Sequence, residues 1–304
     1  MDVAVTGASG LIGSALARAL EADGHRVLRV VRPSSAASGG DTVTWSPADG
    51  TIDRAGLEGI DAVVHLAGEN IAEGRLSDAK RARLRDQRVG ATGRLLASLA
   101  RLPAPPRVVV SAAAIGFYGH RGEDVLDESS AVGAGFLAAR CADWEQAALS
   151  PSSSSSPSPP WRAVALRIGI ALSPRGGALQ KALPAFLAGV GGPFGDGQAW
   201  MPWVAIDDLG AIVLRAIVDE RMAGVVVAAG PAPARNREFA GALGRVLRRP
   251  ALVPLPRFAL KLVVGDVADH IFESCRVEPA RLRALGHAFR HASLDDALHH
   301  VLGR

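Results

Sequence analysis

An α/β fold is predicted, a doubly wound parallel sheet with a smaller, mostly helical C-terminal lobe. Three observations predict it. First, short valine-rich runs alternate with helix-period segments through the first two-thirds of the 304 residues. Such alternation builds parallel strands with helices on both faces. Second, the apolar run at residues 3–5 feeds directly into Gly7-Ala8-Ser9-Gly10-Leu11-Ile12-Gly13. Third, strand signals fade beyond about residue 230, where helices with proline breaks take over. A hydrophobic content of 48% supports a full-sized core. Residues 1–230 are therefore expected to form the main domain, with 170–202 contributing to the smaller lobe. Residues 231–304 are expected to form a C-terminal extension.

The first strand and its glycine loop carry the strongest signal. Gly7 permits a sharp turn, Gly10 lets backbone approach a pyrophosphate, and Gly13 allows close helix packing. The following helix, over 11–22 and ended by Gly24, turns free N–H groups and a positive dipole end toward phosphates. Strand, G-x-x-G-x-x-G loop and amphipathic helix together specify a Rossmann-like dinucleotide site. Gly7, Ser9, Gly10, Leu11, Ile12 and Gly13 are its candidate contacts.

A second strand spans 25–31. Its end should meet the adenosine ribose, where an NAD site places an acid. This chain has no acid between Asp23 and Asp41, and Arg32 stands there instead, followed by Pro33, Ser34 and Ser35. A guanidinium pairs with a 2′-phosphate, so NADP(H) is expected over NAD(H). A third strand, 61–66, ends in Ala67-Gly68-Glu69-Asn70, a small-residue edge where a flat ligand can lie. His65, among apolar neighbours, reads as a packed strand residue.

A charged helix is expected over 77–102, ended by Pro103, with the solvated basic face Lys80 to Arg88 near the crevice. A strand at 107–111 and a helix at 136–149 follow. The serine–proline run 150–160 cannot bury a core and reads as a mobile surface insert. Beyond it come a strand at 162–168, a short helix at 178–187 and a strand at 203–206. Asp207 or Asp208 is expected to cap a helix over 209–218, and the strand 225–228 closes the sheet.

Composition excludes several classes. No apolar run approaches a transmembrane length, and nothing before the first strand resembles a leader. The two cysteines, Cys141 and Cys275, fit a reducing compartment, so a cytoplasmic location is expected. The net charge of +4 is modest, and the basic helix has no interleaved aromatics, which argues against nucleic acid. His287 and His291, and the pair His299-His300, lack cysteine or carboxylate partners in a motif, so no metal is assigned.

Several segments together resemble the extended short-chain dehydrogenase/reductase superfamily. The nearest likeness is its atypical epimerase-like family with a C-terminal extension of its own. These segments are Val5-Thr6-Gly7-Ala8-Ser9-Gly10-Leu11-Ile12-Gly13, His65-Leu66-Ala67-Gly68-Glu69-Asn70-Ile71, Ala114-Ile115-Gly116-Phe117-Tyr118-Gly119 and Trp203-Val204-Ala205-Ile206-Asp207-Asp208-Leu209. The resemblance implies dinucleotide contacts at Arg32, Leu66, Ala67, Arg88 and Ile170 as well as at the glycine loop and Gly68. It also implies a Tyr-x-x-x-Lys catalytic pair, and here Phe136 and Arg140 fall at those two positions. The hydroxyl position falls on Ala113 or Ala114. The sole tyrosine, Tyr118, and the nearest hydroxyl, Ser111, are therefore the candidate catalytic groups. The sugar-nucleotide anchors fall on Met201 and Ala205, both apolar, so the expected substrate is a small molecule rather than a tightly held sugar diphosphate. Trp200, Met201, Pro202 and Trp203 are expected to line an apolar pocket. The acidic loop holding Glu123, Asp124, Asp127 and Glu128 reads as solvated. Superfamily members often pair through helices, so a homodimer is compatible with the resemblance.

Two readings follow: an NADP(H)-dependent oxidoreductase or epimerase-like enzyme, or a non-catalytic NADP(H)-binding sensor, which the missing Tyr-Lys pair motivates.

Overall fold

The computed structural model describes residues 1–35, 41–69, 77–150, 159–256 and 274–304. The central feature is a seven-stranded, all-parallel sheet. In chain order its strands are β1 (Asp2–Thr6), β2 (Arg26–Val31), β3 (Thr42–Thr44), β4 (Ala62–His65), β5 (Val108–Ala114), β7 (Arg162–Ile168) and β11 (Gly224–Ala228). Their spatial order is β11-β7-β5-β4-β1-β2-β3. Winding reverses between β1 and β4, which creates a crevice beyond their C-terminal ends. Side chains alternate across the strands. Val3, Val5, Val64, Val108 and Val110 turn to one face, where helix α1 (Leu11–Ala22) packs beside α6 (Ile206–Val218). Ala4, Val63 and Val109 turn to the other, covered by α3 (Ala91–Leu99), with α4 (Phe136–Leu149) alongside over Ala113 and Ala165. Both faces are apolar because a parallel sheet is buried on both sides.

Three two-stranded sheets extend this core. β8 (Ile170–Leu172) runs parallel to β10 (Trp203–Ala205), β9 (Trp200–Met201) antiparallel to β12 (Ala234–Arg235), and β6 (Val125–Leu126) parallel to β13 (Arg276–Val277). A second core gathers Leu172, Leu179, Phe186, Met201, Trp203, Phe239, Leu243, Leu294 and Leu298. It lies among α5 (Gly177–Leu187), α7 (Asn236–Leu247) and α9 (Leu294–Leu302), and α8 (Ala280–Ala284) packs on β11.

Two expectations about elements need correction. The helix expected over 77–102 is α2 (Asp78–Arg85), a π-helical turn at Asp86–Gly90, and α3, which ends at Leu99. Neither Asp207 nor Asp208 caps α6, whose N-cap is Ala205. Asp208 is buried in the first turn, where its carboxylate accepts from the backbone N–H of Arg290 (2.7 Å) and of His291 (3.1 Å). The strand β3 and the β6–β13 pair carried too few residues to be read. The serine–proline insert lies, for residues 151–158, outside the described residues, as do Asn70 and Ile71. Among the described residues no helix is long and apolar enough to cross a membrane.

Candidate dinucleotide site

The glycine loop takes the shape its residues demand. Gly7 has φ +68°, and a Cβ there would lie 2.9 Å from Leu66 and Ala67 backbone atoms. Loops β1–α1 and β4–α2 therefore touch at this point. A Cβ on Gly13 would sit 2.2 Å from the Gly7 carbonyl oxygen, so Gly13 serves the loop's own closure more than helix–sheet packing. A Cβ on Gly10 would meet only that same oxygen, at 3.2 Å, and beyond it the space is open. Gly10 is the N-cap of α1, with no capping side chain and no acid in the first turn. The positive end of a twelve-residue helix thus opens onto the crevice unopposed. Ser9 is exposed there, and Leu11 packs against Gly176 at the start of α5.

A buried hydrogen-bond chain locks the neighbouring loop. Thr6 Oγ1 accepts from the N–H groups of Leu66 and Ala67, both at 3.1 Å. Its own proton must then go to His65 Nδ1, 2.8 Å away. That leaves the His65 Nε2–H to donate to Thr92 Oγ1 (3.1 Å), and the Thr92 hydroxyl donates to the Arg88 carbonyl. His65 is thereby a neutral imidazole with its proton on Nε2. Burial, helped by the Arg88 charge, lowers its pKa to about 4. The packing role expected of His65 is right, and its hydrogen bonds go further: they tie the ends of β1 and β4 to the π-turn.

That turn presents Arg88. Its guanidinium lies 4.2 Å over the Trp144 ring, donates to the Glu69 carbonyl (3.0 Å) and sits about where a Gly68 Cβ would be contacted, at 3.0 Å. Burial lowers its pKa, and no carboxylate is bonded to it among the described residues. A half-buried guanidinium without a carboxylate of its own can still receive an anion. Arg32 leaves β2 exposed, with no ion pair among the described residues, beside exposed Ser34 and Ser35. Ile170 opens β8, its N–H donating to Pro202 O at 2.8 Å. Gly7–Gly13, Leu66–Gly68 and Arg88 are thus brought together at the switch point, with Arg32 on the β2 side and Ile170 past β7.

The two hydroxyls expected to be catalytic are engaged elsewhere. Tyr118 is fully buried. Its hydroxyl donates to the Asp127 carbonyl (2.7 Å) and accepts from Arg167 (2.8 Å), and burial pushes the phenol above its ordinary range. Arg167 in turn grips Glu145 through two bonds of 2.7 and 2.8 Å and lies 3.6 Å over the Phe117 ring. Ser111 is buried in mid-strand, level with His65 and Ala165, with its hydroxyl on the Ala112 carbonyl at 3.2 Å. Both hydroxyls therefore spend their hydrogen bonds inside the fold.

Other expectations also change. Met201 and Trp203 belong to the second core, and only Trp200 reaches the surface, flanked by the guanidinia of Arg235 (4.4 Å) and Arg276 (5.0 Å). Its indole donates to Glu123, which lines a cleft of about 490 Å³ with His120, Asp196, Gln198 and Ser274. The acidic loop is a clamp: Glu123 pairs with Arg235 (2.7 Å), and Glu128 accepts from the N–H groups of Val227 and Arg281. The basic helix is no plain solvated face, since Lys80 is buried and Arg81 and Arg88 stack on aromatic rings. Trp144, Thr92 and Arg81 carried no expectation as site groups; the arginine–aromatic spacing between α2 and α4 is the signal for Arg81 and Trp144, and Thr92 had none.

The comparisons agree with this geometry. Residues 3–229 match the model of the NAD dependent epimerase/dehydratase family, and residues 255–301 match a domain of unknown function, DUF1731. Epimerase family protein MT2273 of Mycobacterium tuberculosis is 39% identical over 303 residues, covering 99% of this chain and 98% of that protein. The crystal structure of human epimerase family protein SDR39U1 (isoform 2) with NADPH superposes with a TM-score of 0.88 at 32% identity, covering both chains fully. A nucleoside-diphosphate sugar epimerase from Corynebacterium glutamicum gives 0.77 at 35% identity, covering all of this chain and 58% of that one. The chain belongs to the NAD dependent epimerase/dehydratase family, with its own DUF1731 region at the C-terminus.

Proposed function

We propose that the protein is an NADP(H)-binding oxidoreductase of the epimerase family acting on a small molecule. The observation that carries this is the open, uncapped N-terminus of α1 behind the G-x-x-G-x-x-G loop, at the sheet's switch point. The NADPH-bound human relative, similar along its whole length, supports it. The residues fit the cofactor. Gly10 leaves room for a pyrophosphate, and Arg88 offers a half-buried positive charge with no carboxylate bonded to it among the described residues. Arg32, Ser34 and Ser35 suit a 2′-phosphate and favour NADP(H) over NAD(H).

When bound, the nicotinamide would exchange hydride with a carbonyl or carbinol carbon. The chain's part is to bind and orient. Gly7 to Gly13 and the first turn of α1 would hold phosphate oxygens, and the Thr6–His65–Thr92 chain fixes the Leu66–Gly68 edge. With Tyr118 and Ser111 engaged in the fold and Phe136 unable to move a proton, the proton falls to water or to the substrate itself. Met201 and Ala205 are both buried in the second core, which supports a small substrate rather than a sugar diphosphate.

Phe136 also favours the second reading, a non-catalytic NADP(H) sensor. One experiment separates the two. NADPH deuterated on either face of C4 is incubated with the protein and a cell metabolite extract, and mass spectrometry follows the label. Deuterium in a metabolite, absent without protein, establishes hydride transfer. NADPH binding with no transfer of label favours the sensor.

A further inference from the structure

Crossover helices run antiparallel to the strands they follow, so the N-termini of α2 and α4 both lie at the C-terminal edge of the sheet. There the two helices interlock through arginines and rings. Arg81 lies 4.9 Å from the Phe136 ring centre and Arg140 lies 5.7 Å from it. One to two turns deeper, Arg85 reaches Asp143 (3.9 Å) and Arg88 covers Trp144. Among the described residues Asp143 is the one carboxylate paired with any of these four guanidinia, held by Arg140 at 3.0 Å, and Arg81 stands exposed beside Phe136.

The nearby acids do not redress this balance. Glu69 is bound to Arg83 and Asp86 to Arg94, while Asp78 is exposed in the first turn of α2. Among the described residues the Arg81 guanidinium makes no hydrogen bond or ion pair at all. The Arg140 Nε is buried with no acceptor. The first turn of α4 has no capping side chain and no acid. Arg81 is exposed and half-buried Arg140 keeps one donor without an acceptor among the described residues, so both can turn donors toward an anion at the C-terminal edge of the sheet.

We infer that Arg81 and Arg140, on either side of Phe136, bind the anionic group of the substrate, a carboxylate or a phosphate carried by a carbonyl compound. This rests on the dinucleotide reading above and names its substrate class. Arg88, against Gly68, is left to the cofactor.

The test is calorimetric titration of the NADPH-saturated protein with oxamate and, separately, with inorganic phosphate in chloride-free buffer. Saturable binding of either probe is expected, and which one binds tells carboxylate from phosphate. Arg81→Gln and Arg140→Gln should each weaken the better probe tenfold or more. Arg81→Lys should stay within threefold of wild type, and Arg83→Gln should change nothing. The affinity of Arg81→Gln for NADPH should equal that of wild type. Absence of binding by either probe overturns the inference, as does an equal loss in Arg83→Gln and Arg81→Gln. If the wild-type protein takes up no NADPH, the dinucleotide reading falls by itself. The same anion titrations on the free protein then decide this inference on their own.

Discussion

Replacing Arg32 with alanine removes the cation at the exit of β2 and leaves the glycine loop untouched. NADPH affinity should fall roughly 10- to 100-fold, the range of a charge-assisted hydrogen bond, while NADH affinity stays constant. Fluorescence titration with both nucleotides checks it, and equal losses would refute the 2′-phosphate role. Tyr118→Phe tests the opposite kind of group. It strips a hydroxyl shared by Arg167 and the Asp127 carbonyl, so stability should drop by about 1–3 kcal/mol in denaturant, with NADPH affinity unchanged. His65 supplies a pH dependence. Its pKa falls from 6.5 when unfolded to about 4 when folded, so the unfolded chain binds the extra proton between those values. The stabilisation is whole above pH 6.5 and drains away as pH falls toward 4, by roughly 3 kcal/mol. Denaturant unfolding at pH 7 and 4.5 should show that loss, and His65→Gln should flatten it. The glycines and His65 were legible because their demands are local: a turn, a close approach, an apolar strand. Tyr118 was not, because its fate depends on Arg167, 49 residues away on β7.

At the scale of elements, α6 shows how a local rule gives way to a distant partner. An aspartate ahead of an apolar run reads as a cap, yet Asp208 instead receives two backbone N–H groups from the segment before α9. Asp208→Ala leaves both buried donors unanswered and should cost about 2–4 kcal/mol. The loss should appear as early exchange of the amides around 290–298 in hydrogen–deuterium measurements, while the amides of β1 and β4 stay protected. Uniform exchange throughout would show that Asp208 does not anchor this segment. The long basic helix was legible as a helix. Its π-turn was not, because one extra residue in a turn leaves no periodic trace over five positions. That turn nevertheless aims Arg88 at Gly68 and hands its carbonyl to Thr92, as such insertions often do at binding sites.

At the scale of the molecule, the parallel sheet was legible almost strand by strand, because buried valine runs separated by helix signals admit few topologies. Apart from β10, the strands of the small sheets were hidden, since two- or three-residue strands are defined by their partners. A ligand seated at the switch point stabilises the whole fold by mass action. NADPH at a hundredfold excess over its Kd should add about 2.7 kcal/mol, a rise in Tm of a few degrees. Gly10→Val should abolish that rise while leaving the unliganded Tm within a few degrees of wild type. The second core carries one more consequence. Leu172, Met201 and Trp203 come from the stretch before residue 229, while Phe239, Leu243, Leu294 and Leu298 come after it. A gene rearrangement that parted the two stretches would give each daughter half an interior and a bare apolar wall. Host domain and extension thus close one interior between them, which agrees with relatives from Mycobacterium tuberculosis to human that align along nearly their whole lengths.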